Sequence, residues 1–178
     1  MKLKLICNNV VNDVYQTPTY AFDYLAPYIN KEWRIWECAM GQGNLLNYMR
    51  SLGYDAFGTD IEYDFLSSPP MECDCIITNP PYSKKDAFLE KCYEIGKPFA
   101  LLMPLTALEG KKRQRLYRKY GIGLIIPDRR IEFLSEKGRC WFATAWFVWG
   151  IEIPSQIIFA KRCENEALCH LGDSPALR

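Results

Sequence analysis

Short apolar runs alternate with segments of helical periodicity along most of this chain. That alternation restricts the fold more than any other feature, because it is the pattern of an open, mostly parallel α/β sheet. Strands are expected over Arg34-Ile35-Trp36-Glu37-Cys38-Ala39, Asp55 to Asp60, Asp74 to Asn79, Phe99 to Leu105, Ile122 to Pro127 and Thr144 to Gly150. Leu45, Tyr48, Met49 and Leu52 recur at helical spacing, so Asn44 is expected to cap a helix that Gly53 stops. Further helices are expected over Lys85 to Ile95 and from near Glu109, and one before Trp33 over Tyr20 to Ile29, entered through Thr17-Pro18. With 178 residues, no internal repeat and no linker, the chain reads as one domain.

Lys and Arg number 22 against 21 Asp and Glu, so net charge neither demands nor excludes a polyanionic partner, and the placement of charge has to decide. Polar Cys7-Asn8-Asn9 follows Met1 to Ile6 too soon for a signal peptide or membrane span, so a cytoplasmic protein is expected. The eight cysteines are scattered, several inside apolar runs such as Cys73-Asp74-Cys75-Ile76-Ile77. They suit buried thiols better than a disulfide framework, and none of their spacings is a familiar zinc pattern, so no metal is expected.

Ligands of open α/β sheets bind beyond the carboxyl ends of the strands. Three of these ends carry unusual residues. In Glu37-Cys38-Ala39-Met40-Gly41-Gln42-Gly43 two glycines permit a tight turn and close approach of backbone to a ligand, although alone they are equally an ordinary βα turn. Asp60 follows at the end of the next strand, where a carboxylate can accept hydrogen bonds from both ribose hydroxyls. Leu46 occupies the place of the third glycine of the dinucleotide fingerprint, which argues against a pyrophosphate cradle; S-adenosylmethionine needs none, and its ammonium suits a carboxylate such as Glu37.

The third end, Asn79-Pro80-Pro81-Tyr82, is the most specific. Two prolines fix the backbone and delete two N–H donors, leaving carbonyls and the Asn79 amide oxygen as a rigid acceptor edge. Such an edge fits an aryl amine, whose two hydrogens it can hold while the nitrogen becomes pyramidal and nucleophilic. Tyr82 supplies a flat face for stacking. By itself the tetrapeptide could be a strand-terminating turn, but its order after the glycine turn and the strand-end acid favours the chemical reading.

On these motifs, from about Tyr15 to Gly150, the chain resembles class I S-adenosylmethionine-dependent methyltransferases, in particular the small phage and prophage N6-adenine DNA methyltransferases. The resemblance implies a single Rossmann-like domain over residues 1–160, with a mostly parallel seven-stranded sheet, helices on both faces and an N-terminal cofactor-binding helix. Residues 161–178 would be a tail, expected to be disordered. Thr17-Pro18 and the Glu37 to Gly43 loop, Ala39, Gly41 and Gly43 included, would hold the methionine part of the cofactor. Asp60 with Ile61 would hold the nucleoside, and Asp64-Phe65 would contact the adenine. Asn79 to Tyr82 would hold the target base beside the cofactor, and Phe133 resembles an aromatic that grips an extruded base, although it also reads as a core aromatic.

No separate target-recognition domain, such as sequence-specific members carry, is expected. Specificity would then come from residues 128 to 139, from a dimer partner or from another protein. Arg129-Arg130, Lys137 and Arg139 are the expected nucleic-acid contacts, with DNA favoured over RNA. Lys111 to Lys119 is a second basic run, readable either as phosphate contact or as a solvated helix face. RNA bases and the amide of protein glutamine remain alternative acceptors, and a non-catalytic nucleic-acid-binding module an alternative role. No cysteine lies in the Pro-Cys pattern of a cytosine C5 enzyme, so direct in-line transfer to nitrogen is the expected reaction.

Overall fold

The computed structural model describes residues 16–133 and 142–162. Each expected strand forms, one or two residues shorter at one or both ends: β1 Arg34–Glu37, β2 Asp55–Gly58, β3 Cys75–Thr78, β4 Phe99–Pro104, β5 Gly123–Pro127 and β6 Thr144–Trp149. A further strand, β7 Ile157–Ala160, lies in a stretch to which the sequence reading assigned no element. Its four residues are too few to show a period, and it is held through pairing with β5, Leu124 to Ile157 through Pro127 to Ala160.

The seven strands are ordered β2-β1-β3-β4-β6-β5-β7. β1 pairs in parallel with β2 and β3, β3 with β4 and β5 with β7, and β6 alone runs against its neighbours β4 and β5. β4 shows why the middle of the sheet reads as continuous apolar sequence: both its faces are covered. Phe99, Leu101 and Met103 enter one core layer with Trp36, Ile76 and Phe147, while Ala100 and Leu102 enter the other with Ile35, Ile77 and Trp146. The first layer is closed by helices α2 (Lys85–Ile95) and α3 (Lys111–Tyr120), through Phe88, Leu89, Leu116 and Tyr117. The second is closed by α1 (Asn44–Ser51), through Leu45, Leu46 and Met49, and by the N-terminal segment, through Phe22 and Leu25. The chain is therefore one α/β unit with helices on both faces.

Two local expectations are corrected. Residues 20–29 do not form an α-helix; they make two single turns of 3-10 helix, Thr19–Ala21 and Ala26–Tyr28. Most of the turn hydrogen bonds span three residues, as in Ala21 N to Pro18 O and Leu25 N to Phe22 O. Pro27 lacks a donor, and tertiary contacts take over where a helix ladder stops: Trp146 Nε1 donates to Ala21 O (2.8 Å) and Tyr24 Oη to Asp128 (2.9 Å). Asn44 does not cap α1 but begins it; Gly43, in the left-handed region at φ 76°, occupies the cap position without a side-chain hydrogen bond.

Candidate active site

The carboxyl ends of β1, β2 and β3 lie side by side, which brings the three unusual strand ends into one region. Backbone hydrogen bonds extend the pairing of β1 and β2 beyond their ends. Thr59 N donates to Glu37 O (3.0 Å) and Met40 N to Thr59 O (3.0 Å), and the turn then closes through Gly43 N to Met40 O (2.8 Å). Gly41 (φ 52°) and Gly43 both need positive φ to make it. The backbone amides of Ile61 and Gly41 donate to the Asp60 carboxylate, so Asp60 and the glycine turn are fastened together. Burial holds the Asp60 carboxyl above its ordinary range, and Glu62 adds to the effect.

Glu37 is the least ordinary group here. It is 2% exposed, accepts a hydrogen bond from the Leu46 backbone amide, and leaves Oε2 buried with no partner among the described residues. Burial pushes its carboxyl well above the usual range; the Leu46 amide opposes the shift and Asp60 reinforces it. An ionised oxygen in this position is costly unless a cation meets it. The site therefore presents a buried carboxyl that has no cation beside it among the described residues, a turn open to close backbone approach, and a carboxylate at the neighbouring strand end.

The N-terminal segment reaches the same turn. Thr17 and Pro18 are buried, and the Gln16 amide group comes within 3.6 Å of the space that a side chain on Gly41 would fill. Gln16 was not singled out from sequence, and no local signal marks it. Ile61 is 87% exposed beside Asp60, an apolar face left open to solvent. Phe65 is instead a core residue, stacked on Phe88 (centroids 4.9 Å apart) and edge-on to Trp36 (5.3 Å). Asp64 is exposed and accepts from Ser67 Oγ (2.7 Å) and the Leu66 amide (3.4 Å), which draws its carboxyl below the usual range.

Asn79 follows β3, half-buried with its amide oxygen inside, and Tyr82 is 9% exposed. Phe133 meets the Tyr82 ring edge-on at 6.2 Å and Phe142 meets it at 5.4 Å. The structure thus joins Phe133 to the Asn-Pro-Pro-Tyr segment across a long stretch of sequence, and adds Phe142, which the motif reading passed over. Two residues beyond Phe142, Thr144 opens β6 with a buried hydroxyl that has no partner among the described residues. Arg129 and Arg130 are exposed just past β5, whereas Lys137 and Arg139 lie outside the described residues. The residues of the tail from 163 onward also lie outside them.

Cys38, Cys73, Cys75 and Cys92 are free and buried. Burial raises each thiol, Cys73 to about 11, so none is a ready nucleophile. Among the described residues no group of three metal-ligating side chains occurs, and no helix is long and apolar enough to cross a membrane.

No family model and no curated protein matches the sequence. Solved structures do match the fold. A protein described as a class I S-adenosylmethionine-dependent methyltransferase from Listeria monocytogenes superposes with a TM-score of 0.56 at 14% identity, over 86% of this chain and 68% of that one. The chain has that methyltransferase fold. A dimethyladenosine transferase from Plasmodium falciparum superposes with a TM-score of 0.51 at 10% identity over 78% of this chain, which spans 63% of the length of that protein.

Proposed function

We propose that this chain is an S-adenosylmethionine-dependent methyltransferase acting on the exocyclic amino group of a nucleic-acid base, N6 of adenine in DNA before other acceptors. The observation that carries this reading is the Asn79 to Tyr82 segment at a strand end, with Tyr82 walled by Phe133 and Phe142, one strand away from the Glu37 to Gly43 turn. A planar aromatic acceptor would lie against this aromatic cluster, with Asn79 and the Pro80 carbonyl as its hydrogen-bond acceptors. The fold shared with a protein named as a dimethyladenosine transferase is consistent with an adenine acceptor.

The buried Oε2 of Glu37, partnerless among the described residues, fits the ammonium of the methionine moiety, Asp60 fits the ribose hydroxyls, and exposed Ile61 fits a flat apolar ring. Thr17, Pro18, Ala39, Gly41 and Gly43 would complete that cradle, and Phe65 would support it from the core. When bound, the cofactor supplies an electrophilic methyl group on a sulfonium. The chain's own part is positioning: the acceptors at Asn79 and Pro80 hold the amine in line and favour its pyramidal form, and Tyr82 and Phe133 fix the ring. Flipping a base out of a duplex costs roughly a few kcal/mol, so single-stranded DNA is the easier substrate.

The test is transfer of labelled methyl from S-adenosylmethionine to duplex DNA, single-stranded DNA, bulk RNA and mixed protein in parallel, with nucleoside analysis of the labelled product. N6-methyladenine in DNA is expected. Label in RNA or protein alone keeps the chemistry and overturns the acceptor, and label in none of them overturns the activity.

A further inference from the structure

We infer that the outward face of α3 is a nucleic-acid backbone surface, receiving the strand that flanks the base held at Asn79. The inference rests on the proposed nucleic-acid acceptor. In its ten residues, Lys-Lys-Arg-Gln-Arg-Leu-Tyr-Arg-Lys-Tyr, α3 carries six cations and no acid. The whole chain is nearly balanced, at 22 cationic against 21 acidic residues, so this is a local concentration. It is also placed against the helix's own preference, since Lys111, Lys112 and Arg113 crowd the first turn, where the macrodipole favours acids.

Two of the cations have a structural use. Lys112 pairs with Glu90 (2.7 Å) and Arg113 with Asp86, while Arg113 Nε donates to Ala107 O (2.7 Å), so both fasten α3 to its surroundings. Leu116 and Tyr117 turn inward to the core. The rest face out. Lys111 and Arg115 are exposed, Arg118 reaches Gln114 (3.3 Å), and Lys119 lies over the Tyr120 ring (4.6 Å). None of these four is paired with an acid among the described residues.

At helical spacing Lys111, Arg115 and Arg118 share one face with Lys119 on its flank, and the row from 111 to 119 spans roughly 12 Å. One strand of DNA presents about three phosphates over that rise. The outward face holds Gln114 and no aliphatic side chain, which fits a polyanion in water and not the apolar insertion that a membrane-surface helix needs. Its place in the fold agrees. α3 begins shortly beyond the carboxyl end of β4, the neighbour of the strand that Asn79 follows, and runs back from there toward the amino end of β5, so its row of cations would lead a strand away from the site; exposed Arg129 and Arg130 leave the carboxyl end of β5. The two basic segments thus start from the same edge of the sheet as the candidate site, one on each side of β6.

The experiment compares the wild type, the triple variant Lys111→Gln/Arg115→Gln/Lys119→Gln, and a charge-matched control, Lys31→Gln/Lys91→Gln/Lys97→Gln. Affinity for a single-stranded and a duplex oligonucleotide is measured across a salt series, alongside S-adenosylhomocysteine binding. The α3 variant is expected to lose about 2–3 from the slope of log affinity against log salt, at about 0.7–0.9 per phosphate contact, with cofactor-product affinity unchanged. The control is expected to keep the wild-type slope. An α3 variant with the wild-type slope, or a control that loses as much, overturns the surface and leaves the acceptor standing. A wild type that binds no nucleic acid at all overturns both.

Discussion

The amino ends of the parallel strands are closed by hydrogen bonds, whereas their carboxyl ends leave polar atoms buried and open. At the amino ends Arg34 N donates to Asp74 Oδ2 (2.8 Å) and Asp74 N donates back to Arg34 O (2.8 Å). Nearby carbonyls are met by side chains: Gly121 O by Tyr93 (2.7 Å), Tyr120 O by Trp149 (2.9 Å) and Ile122 O by Gln156 (3.1 Å). An open depression of about 400 Å³ also lies here, lined by Gly121, Gly123, Trp149 and Ile153 among others, and the carbonyls of Tyr120, Gly121 and Ile122 along it are already engaged. At the carboxyl ends Glu37 Oε2 and Thr144 Oγ1 have no partner among the described residues. A buried polar atom without a partner is unfavourable in the free protein and becomes useful only when a ligand arrives. The depression marks space, and the unanswered atoms mark chemistry.

The contrast can be broken most sharply at Asn79. Asn79→Ala should lower turnover by about two orders of magnitude or more while melting close to the wild type, because its acceptor acts mainly as the amine becomes nucleophilic. Near-normal turnover would remove Asn79 from the chemistry.

A smaller effect is expected at Glu37, and its sign depends on pH. The folded carboxyl sits well above the ordinary value of 4.5, so across the window above that value the native state keeps a proton that the unfolded chain has released. Stability from this group is therefore fullest below about 4.5 and declines as pH rises through the window toward the folded value. Glu37→Gln lacks that slope, and thermal melts between pH 4.5 and 8 should show the variant gaining on the wild type as pH rises. Calorimetry should show cofactor affinity lower by roughly ten- to a hundredfold, the loss of a charge-assisted hydrogen bond. Parallel melting slopes would mean that Glu37 Oε2 is answered after all, and the two ends of the sheet would no longer differ.

How much of this was legible depended on whether the signal was local. β3 and β4 were readable because burial on both faces makes a sequence apolar throughout, and α2 matched its expected span, Lys85–Ile95, because a helix of that length shows its period. The position of Asn79 to Tyr82 just after a strand was readable because two adjacent prolines are an unusual backbone constraint. β7 was not, since its short run has no period and its pairing with β5 is a tertiary event. The 3-10 turns of residues 19–28 went unread for the same reason: Trp146, far along the chain, holds the Ala21 carbonyl. Phe133 was readable only as an alternative between site and core, and it is a core residue whose ring touches Tyr82. Phe142, Gln16 and Thr144 acquire meaning only from neighbours distant in sequence.

The smallest effect tests the contrast by sign. Thr144→Val keeps the shape of the side chain and removes a hydroxyl that is 96% buried by residue, the residue being 4% exposed, and partnerless among the described residues. Tyr93→Phe removes a hydroxyl that donates to Gly121 O at 2.7 Å at the opposite end of the sheet. If the carboxyl end holds unanswered polar atoms and the amino end satisfied ones, Thr144→Val should raise unfolding free energy by about 1 kcal/mol and Tyr93→Phe should lower it by about 1 kcal/mol. Denaturant melts of both variants against the wild type read the difference directly, with unchanged m-values ensuring that the denatured state is not its source. A destabilised Thr144→Val would mean that its hydroxyl has a partner, and the argument from open polar atoms would then rest on Glu37 alone. A stabilised Thr144→Val that also loses methyl-transfer activity would show the cost at this strand end being retained for function, and would bring Thr144 into the acceptor pocket beside Phe142.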